Sequence, residues 1–380
     1  MVKKETQKLL GFLTADFGFS EKMISIAFSG GRGYHIHIRD PRIFTLKGDE
    51  RREIVDYLTG RGLDFDSFIA KQKIIGGHGI DLVYALRCPP ENAPGWGGRL
   101  NRAIISFVED LCKMPEDKAL EMLSSIKGIK GKKSNEFYTY IKTFDQILND
   151  DIDEETAINK LSSIGWINDA EDFYFYLRLS YLIRKGEYDL IKGLKCSKKI
   201  DVVRYKKICE HLIAGEIDES EAIKRLSSAG IFPFKPIVEQ IREGNLDGVK
   251  GISGNWNILE KYLGENSISI GSGSYYDRER GETDEPVTAD VRRLIRCPGS
   301  LHGGSGMRVT PLTLRDLQDF DPLQDAVVFG EEVVPLQIIK PFKTQMKGES
   351  FLLVEGPTEL PAYIAVFLMA RGAAEARTKH

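Results

Sequence analysis

Phe28-Ser29-Gly30-Gly31-Arg32-Gly33-Tyr34-His35-Ile36-His37 reads as a turn between two strands. The alternation of apolar and polar residues on either side predicts strands at Ile24–Phe28 and Tyr34–Ile38, joined by a glycine-rich hairpin. Consecutive glycines let backbone N–H groups turn toward an anion, and Ser29 and Arg32 add side-chain donors. His35 and His37 lie two apart on a strand and therefore share a face. From these residues alone two readings stand: a cradle for a triphosphate, or a plain glycine-rich hairpin carrying two surface histidines.

A second constellation lies far downstream, in Thr283-Asp284-Glu285-Pro286-Val287-Thr288-Ala289-Asp290-Val291-Arg292-Arg293-Leu294-Ile295-Arg296-Cys297-Pro298-Gly299-Ser300-Leu301-His302-Gly303. Thr288 suits the cap of a helix running through Leu294, with Arg296 emerging at its stop and His302 on a tight turn. An arginine offers a planar fork for phosphate, and Asp284 offers a carboxylate for a divalent cation. The bland alternatives are a solvated helix face and an ordinary turn residue.

Around these stretches the texture changes three times. Residues 1–100 mix short strands and helices, and residues 101–262 read as mostly helical. Residues 263–380 return to strands and loops, with strands expected at 267–270, 307–309 and 326–329 and a last apolar helix at about 360–371. The expected organisation is α+β, with a core from both ends of the chain (1–100 and 263–380) and a helical insertion at 101–262. The helical part holds a near-repeat: the run from Ile152 to Gly165 (Ile-Asp-Glu-Glu-Thr-Ala-Ile-Asn-Lys-Leu-Ser-Ser-Ile-Gly) returns from Ile217 to Gly230 (Ile-Asp-Glu-Ser-Glu-Ala-Ile-Lys-Arg-Leu-Ser-Ser-Ala-Gly), and Ala119-Leu120-Glu121-Met122-Leu123-Ser124-Ser125-Ile126 echoes both. Asp153 and Asp218 suit N-caps, and Gly165 and Gly230 suit C-terminal stops. The uneven spacing argues for a recurring packing unit rather than a regular solenoid.

Composition narrows the function classes. Charged residues are 29% and hydrophobic ones 42%, with no apolar run of membrane-spanning length, so a soluble, cytoplasmic protein without a membrane partner is expected. A net charge of −3 argues against a general nucleic-acid coat while leaving room for a local basic groove. The basic runs at 127–133 and 192–207 suit a template or partner contact, or a solvated face. The five cysteines are scattered with no Cys-x-x-Cys pair, so buried thiols are expected and no zinc site.

The run from Val287 to Leu301, with its Arg-Leu-Ile-Arg-x-Pro-Gly-Ser-Leu-His core, resembles the signature of the small, catalytic subunit of archaeal and eukaryotic DNA primases. The Ser-Gly-x-Arg-Gly-x-His run at Ser29 to His35 resembles that family's earlier nucleotide-binding motif, and residues 50–57 and 95–103 also read like family text. The resemblance implies template-directed synthesis of short primers from nucleoside triphosphates on single-stranded DNA, with Mg²⁺ or Mn²⁺ and in a heterodimer with a large primase subunit. It implies phosphate contacts for Ser29, Arg32, His35, Arg296 and His302. It implies a catalytic, metal-holding carboxylate for Asp284.

The pattern also departs from the family. The Asp-x-Asp pair expected upstream of Ser29 is not among the 28 residues that precede it, and the chain reads as N-terminally incomplete. Asp64-Phe65-Asp66 follows a helix stop and reads as a helix flank rather than a metal site. The expectation is that this chain alone does not synthesise primers. The alternatives are a non-catalytic subunit that binds nucleotide or a primase partner, and a histidine phosphoesterase independent of Asp284.

Overall fold

The computed structural model describes residues 2–75, 82–125, 131–165, 167–195, 202–228, 237–246, 249 and 279–377. Packing divides the chain into two units, Met1–Gly62 with Arg280–His380, and Leu63–Glu279. The first unit opens with helix α1 (Val2–Gly11), which runs into a wider turn at Phe12–Asp16. Its apolar side buries Leu10, Phe12 and Leu13. Strands β1 (Ile24–Phe28) and β2 (Tyr34–Ile38) follow with the bounds expected from their alternation, paired antiparallel from Ile24↔Ile38 to Phe28↔Tyr34. Ile24 and Ile26 face a cluster with Leu10, Leu13, Ile36 and Ile38, which leaves Ser25, Ala27, His35 and His37 on the opposite face. Helix α2 (Gly48–Thr59) starts where the Glu50 carboxylate accepts from the Lys47 N–H at 2.6 Å and stops at Gly60, whose φ is +67°.

The second unit begins with an antiparallel pair, β3 (Ala70–Ile75) and β4 (Leu82–Arg87). Eight described helices and one short turn of helix follow: α3 (Gly95–Lys113), α4 (Glu116–Ser125), α5 (Lys132–Leu148), α6 (Glu154–Ser162), α7 (Ala170–Lys185), α8 (Tyr188–Ile191), α9 (Val202–Ile213), α10 (Glu219–Ser228) and α11 (Ile237–Arg242). The strand pair is tied to these helices: Cys88 N–H donates to Gly244 O at 2.9 Å, and the Leu246 N–H to Leu86 O at 3.1 Å. The fully buried Asn101 amide donates to Pro89 O at 2.9 Å and also to Ile241 O. Compact packing therefore divides the chain after Gly62, whereas the change of sequence texture falls near residue 100. The Asp64 flank behaves as expected locally, its carbonyl accepting from Ser67 at the start of a tight turn, Phe65–Phe68.

The repeat has a physical basis in this unit. Ala119 and Leu123, Ala157 and Leu161, and Ala222 and Leu226 are all fully buried pairs one helical turn apart. Asp153 caps α6 by accepting from Thr156 N–H at 2.9 Å and its hydroxyl at 2.7 Å; Asp218 accepts from Glu221 N–H at 2.8 Å. Gly230, strand 267–270 and much of both basic runs lie outside the described residues. Burial pushes the Cys88 thiol up to about 11 and the Cys112 thiol to about 12, but Cys297 is exposed, so not every cysteine is a core residue.

The chain re-enters the first unit through a short helix, α12 (Glu285–Ala289). The helix expected from Thr288 to Leu294 does not form. Pro286 starts this helix early, Asp290 follows it, and Val291 and Leu294 are 66% and 96% exposed, so an extended helix would have had no apolar face to bury. Strand β5 (Thr310–Leu312) lies just beyond the expected 307–309 and pairs antiparallel with β1 through Phe28↔Thr310. Two short helices follow, α13 (Asp316–Asp319) and α14 (Pro322–Asp325), and residues 326–329 run on without strand pairing. The C-terminal part builds a sheet β10-β6-β9 and a hairpin β7-β8 from β6 (Val333–Ile338), β7 (Phe342–Met346), β8 (Glu349–Leu353), β9 (Gly356–Pro361) and β10 (Ala374–Ala376). The last helix, α15 (Ala362–Ala370), packs Tyr363, Ile364, Phe367 and Leu368 into their core. No described helix is long and apolar enough to cross a membrane.

Candidate nucleotide site

The pairing of β5 with β1 carries the second motif to the first. Ahead of β5 the chain folds back on itself, with Leu301 bridging Arg308 and the His302 N–H donating to Met307 O at 2.9 Å. The resulting turn at residues 302–306 sits under the glycine turn at 29–33. A Cβ on Gly30 would lie 2.6 Å from the His302 Cβ, and one on Gly31 would lie 3.1 Å from His302 Nε2. Gly30 also has φ of +77°, so both its conformation and its neighbour exclude a side chain. The close approach places one peptide of the turn directly on the imidazole.

Ser29 is engaged within the turn itself. Its hydroxyl oxygen is buried and accepts from the N–H groups of Gly31 at 3.4 Å and Gly33 at 3.2 Å, while its own N–H donates to Gly33 O at 2.8 Å. It therefore shapes the turn from within. Ser305, which sequence reasoning missed, does the same from the other side. It is 2% exposed, its hydroxyl donates to Gly30 O, and its oxygen accepts from Met307 N–H at 3.2 Å. The Gly304 N–H donates to His302 Nδ1 at 3.2 Å, which fixes the neutral tautomer with its proton on Nε2, the nitrogen nearest Gly31.

His35 and His37 project from β2 with ring centroids 6.2 Å apart, edge to face. His35 Nδ1 and His37 Nε2 are buried without a hydrogen-bond partner. Burial pushes both imidazoles below the ordinary histidine range; His37 and Arg296 add to this for His35, and Arg39 for His37. Burial also lowers His302, with Arg296 and then Arg371 adding repulsion. All three rings are thus neutral near pH 7 and act as hydrogen-bonding groups rather than as cations. Arg296 is exposed and lies within electrostatic reach of both His35 and His302, with no ion-pair partner among the described residues. Arg32 is exposed at the tip of the turn.

Asp284 precedes α12 without capping it, because its side chain makes no bond to the helix N–H groups. It lines a cavity of about 470 Å³ with His35, His37, Arg51, Glu282 and Thr283. Its neighbour Glu285 is turned away and held by Arg52 at 2.9 Å and Arg61 at 3.1 Å. The structure therefore brings Gly30, Gly31, His35, Arg296 and His302 together, with Asp284 on the wall of the adjoining cavity. Two features were not legible in advance: Ser305 sits in a run of small residues with no distinguishing neighbour, and Glu282 looked like one more loop acid.

A glycine turn packed on a neutral imidazole, with exposed guanidinium groups beside it that have no ion-pair partner among the described residues, has the chemistry to receive an anion. Comparison with known proteins agrees. The family model described as DNA primase small subunit matches residues 1–314. A protein named DNA primase small subunit PriS from Methanothrix thermoacetophila is 41% identical over 98% of this chain and 70% of its own length. Proteins of the same name from Methanococcoides burtonii and Halobacterium salinarum are 35% and 28% identical, covering 98% of this chain and 69% and 68% of their own lengths. The chain belongs to the DNA primase small subunit family, nucleotidyltransferases of DNA replication. The reading as a non-catalytic binding subunit is not favoured.

Proposed function

We propose that the turn at residues 29–33, Arg296 and His302 hold the polyphosphate of the incoming nucleoside triphosphate during template-directed primer synthesis. The observation that carries this reading is the seating of Gly31 on the His302 imidazole, which gathers the donors of two distant motifs at one point. His302 Nε2–H donates to a phosphate oxygen, and the Arg32 and Arg296 guanidinium groups donate to others and supply the positive charge, while the Gly31 and Gly33 N–H groups are taken up by Ser29. Ser29 and Ser305 keep the turn in that shape. His35, neutral and with an unsatisfied nitrogen, supplies a further hydrogen bond.

In this reading Asp284 is the catalytic carboxylate and would hold Mg²⁺ or Mn²⁺, hard cations that take oxygen ligands. Glu282 stands beside it on the cavity wall. Two cations held close together need several carboxylates to offset their repulsion. Among the described residues no group of three or more His, Cys, Asp or Glu is placed to hold a metal. These residues do not by themselves fit a two-metal site. A large primase subunit, a single-stranded DNA template and a cytoplasmic location belong to the same reading, as does a division into a catalytic core and a helical insertion.

Calorimetric titration of the full chain with ATP and with adenosine tests the assignment. ATP should bind and adenosine should bind far more weakly; His302→Ala or Arg296→Ala should each weaken ATP by about tenfold, the worth of one charge-assisted contact. Equal affinity for ATP and adenosine, or variants that bind ATP like the wild type, would sink it.

A further inference from the structure

The final helix brings one more cation to the same turn. Helix α15 is apolar throughout, and Arg371 is the first charged residue after Glu359, placed at the helix C-terminus. The helix packs on the His302 turn itself: a Cβ on Gly306 would lie 2.6 Å from Val366 Cγ1, and the Gly306 N–H donates to His302 O at 2.8 Å. Arg371 is exposed, has no ion-pair partner among the described residues, and lies with its guanidinium carbon 5.3 Å from the centre of the Phe367 ring. Phe367 is in turn buried in the C-terminal core, so the arginine rests on a fixed platform. It lies close enough to His302 to disfavour a charge there, as Arg296 does. Two uncompensated guanidinium groups that both act on one imidazole define a place where an anion is stabilised.

We propose that Arg371 is a further phosphate ligand for the nucleotide at the His302 turn, delivered by the last helix and held in place by the face of Phe367. This rests on the nucleotide reading of that turn and extends the site beyond residue 314, where the family match ends. The planar fork of arginine engages two oxygens of one phosphate, so its contribution falls on the polyphosphate and not on the base or sugar. The competing reading is local: a cation at a helix C-terminus offsets the partial negative charge of the last carbonyls, which would make Arg371 a stability residue only.

The test is calorimetry with the full chain at low ionic strength, using ATP, AMP and adenosine on wild type, Arg371→Ala and Arg371→Lys. Arg371→Ala should weaken ATP about tenfold and AMP less, leave adenosine unchanged, and be partly rescued by Arg371→Lys. The His302 imidazole, followed by NMR, should titrate at higher pH in Arg371→Ala because a repelling cation has gone. Wild-type affinity for ATP in Arg371→Ala, with only a lowered melting temperature, would overturn the proposal in favour of the helix-end role. An equal loss for ATP and adenosine would do so too, by pointing to lost packing. If wild type binds ATP no better than adenosine, the nucleotide reading fails and this inference falls with it; if wild type prefers ATP and Arg371→Ala binds it equally, only the inference fails.

Discussion

The glycine turn with its His302 support and the Ala–Leu repeat of the second unit are both tightly packed, and they are built on opposite terms. In the repeat the buried atoms are apolar: Ala157, Leu161, Ala222 and Leu226 are all inaccessible to solvent, and the polar work is done at the helix ends by Asp153 and Asp218. In the turn the buried atoms are polar: Ser29 and Ser305 are enclosed, a glycine is held at positive φ, and two imidazole nitrogens have no partner. Burial in the first case is stabilising on its own account. In the second it leaves His35 Nδ1 and His37 Nε2 with hydrogen-bonding capacity that a ligand can take up. Structure and function thus separate between the two regions, and substitutions should separate with them.

The largest effect is expected in the repeat. Leu161→Ala removes a fully buried side chain and should destabilise the protein by about 2–5 kcal/mol, measured by denaturant unfolding, while ATP affinity in the folded fraction stays at the wild-type value. A comparable loss of ATP affinity would break the comparison by making the repeat part of the site.

Ser305→Ala sharpens the same contrast with a smaller stability change. It leaves the Gly30 carbonyl and the Met307 N–H without their side-chain partner in a buried place, at a cost of about 1–3 kcal/mol. Its greater effect should be on ligand: the turn no longer holds Gly31 against His302, and ATP binding should weaken with no change for adenosine. Ser305→Thr keeps the hydroxyl and should recover part of the affinity if the added methyl is accommodated. An alanine variant that is merely less stable, with ATP affinity intact, would reduce Ser305 to a packing role.

Much of this was legible from residues because the hairpin is a local object. Alternation and glycine chemistry set β1 and β2 to the residue, and the apolar run set the last helix. The capping aspartates were legible for the same reason, since a cap involves only residues within three positions. The convergence of the two motifs was not local. It depends on β5 pairing with β1 across about 280 residues of chain, and no periodicity announces such a partner, so it took a family resemblance to suggest it. The helix after Thr288 failed for a tertiary reason: propensity favoured it, but Val291 and Leu294 have nothing to pack against, and Pro286 had already set the start. Residues 63–75 share the mixed texture of the first hundred residues, yet they belong to the second unit.

The smallest effect expected is at the helix ends, and pH separates it from the others. Asp153 accepts two hydrogen bonds from Thr156, and these hold its carboxyl below the usual aspartate range, the main-chain bond first and the hydroxyl second. A carboxyl whose folded value is depressed contributes stability that is complete above the unfolded value of about 3.9 and is lost as pH falls through the folded value. The site is exposed, so the contribution is slight: Asp153→Ala should lower the melting temperature by about 1–3 °C at pH 7. The gap should narrow as pH falls from the unfolded value through the depressed folded one, as the wild-type carboxyl takes up its proton. The histidines of the turn behave in the same direction but at another pH. His35, His37 and His302 are all held below the free value of about 6.5, so the unfolded chain binds more protons than the folded one just beneath that pH, and stability falls as pH drops through it. Asp153→Ala should leave that second, milder transition untouched, whereas His35→Gln should diminish it. A melting profile in which Asp153→Ala flattens the change near pH 6 would show the helix cap and the nucleotide turn to be coupled, and the separation drawn between the two regions would not stand.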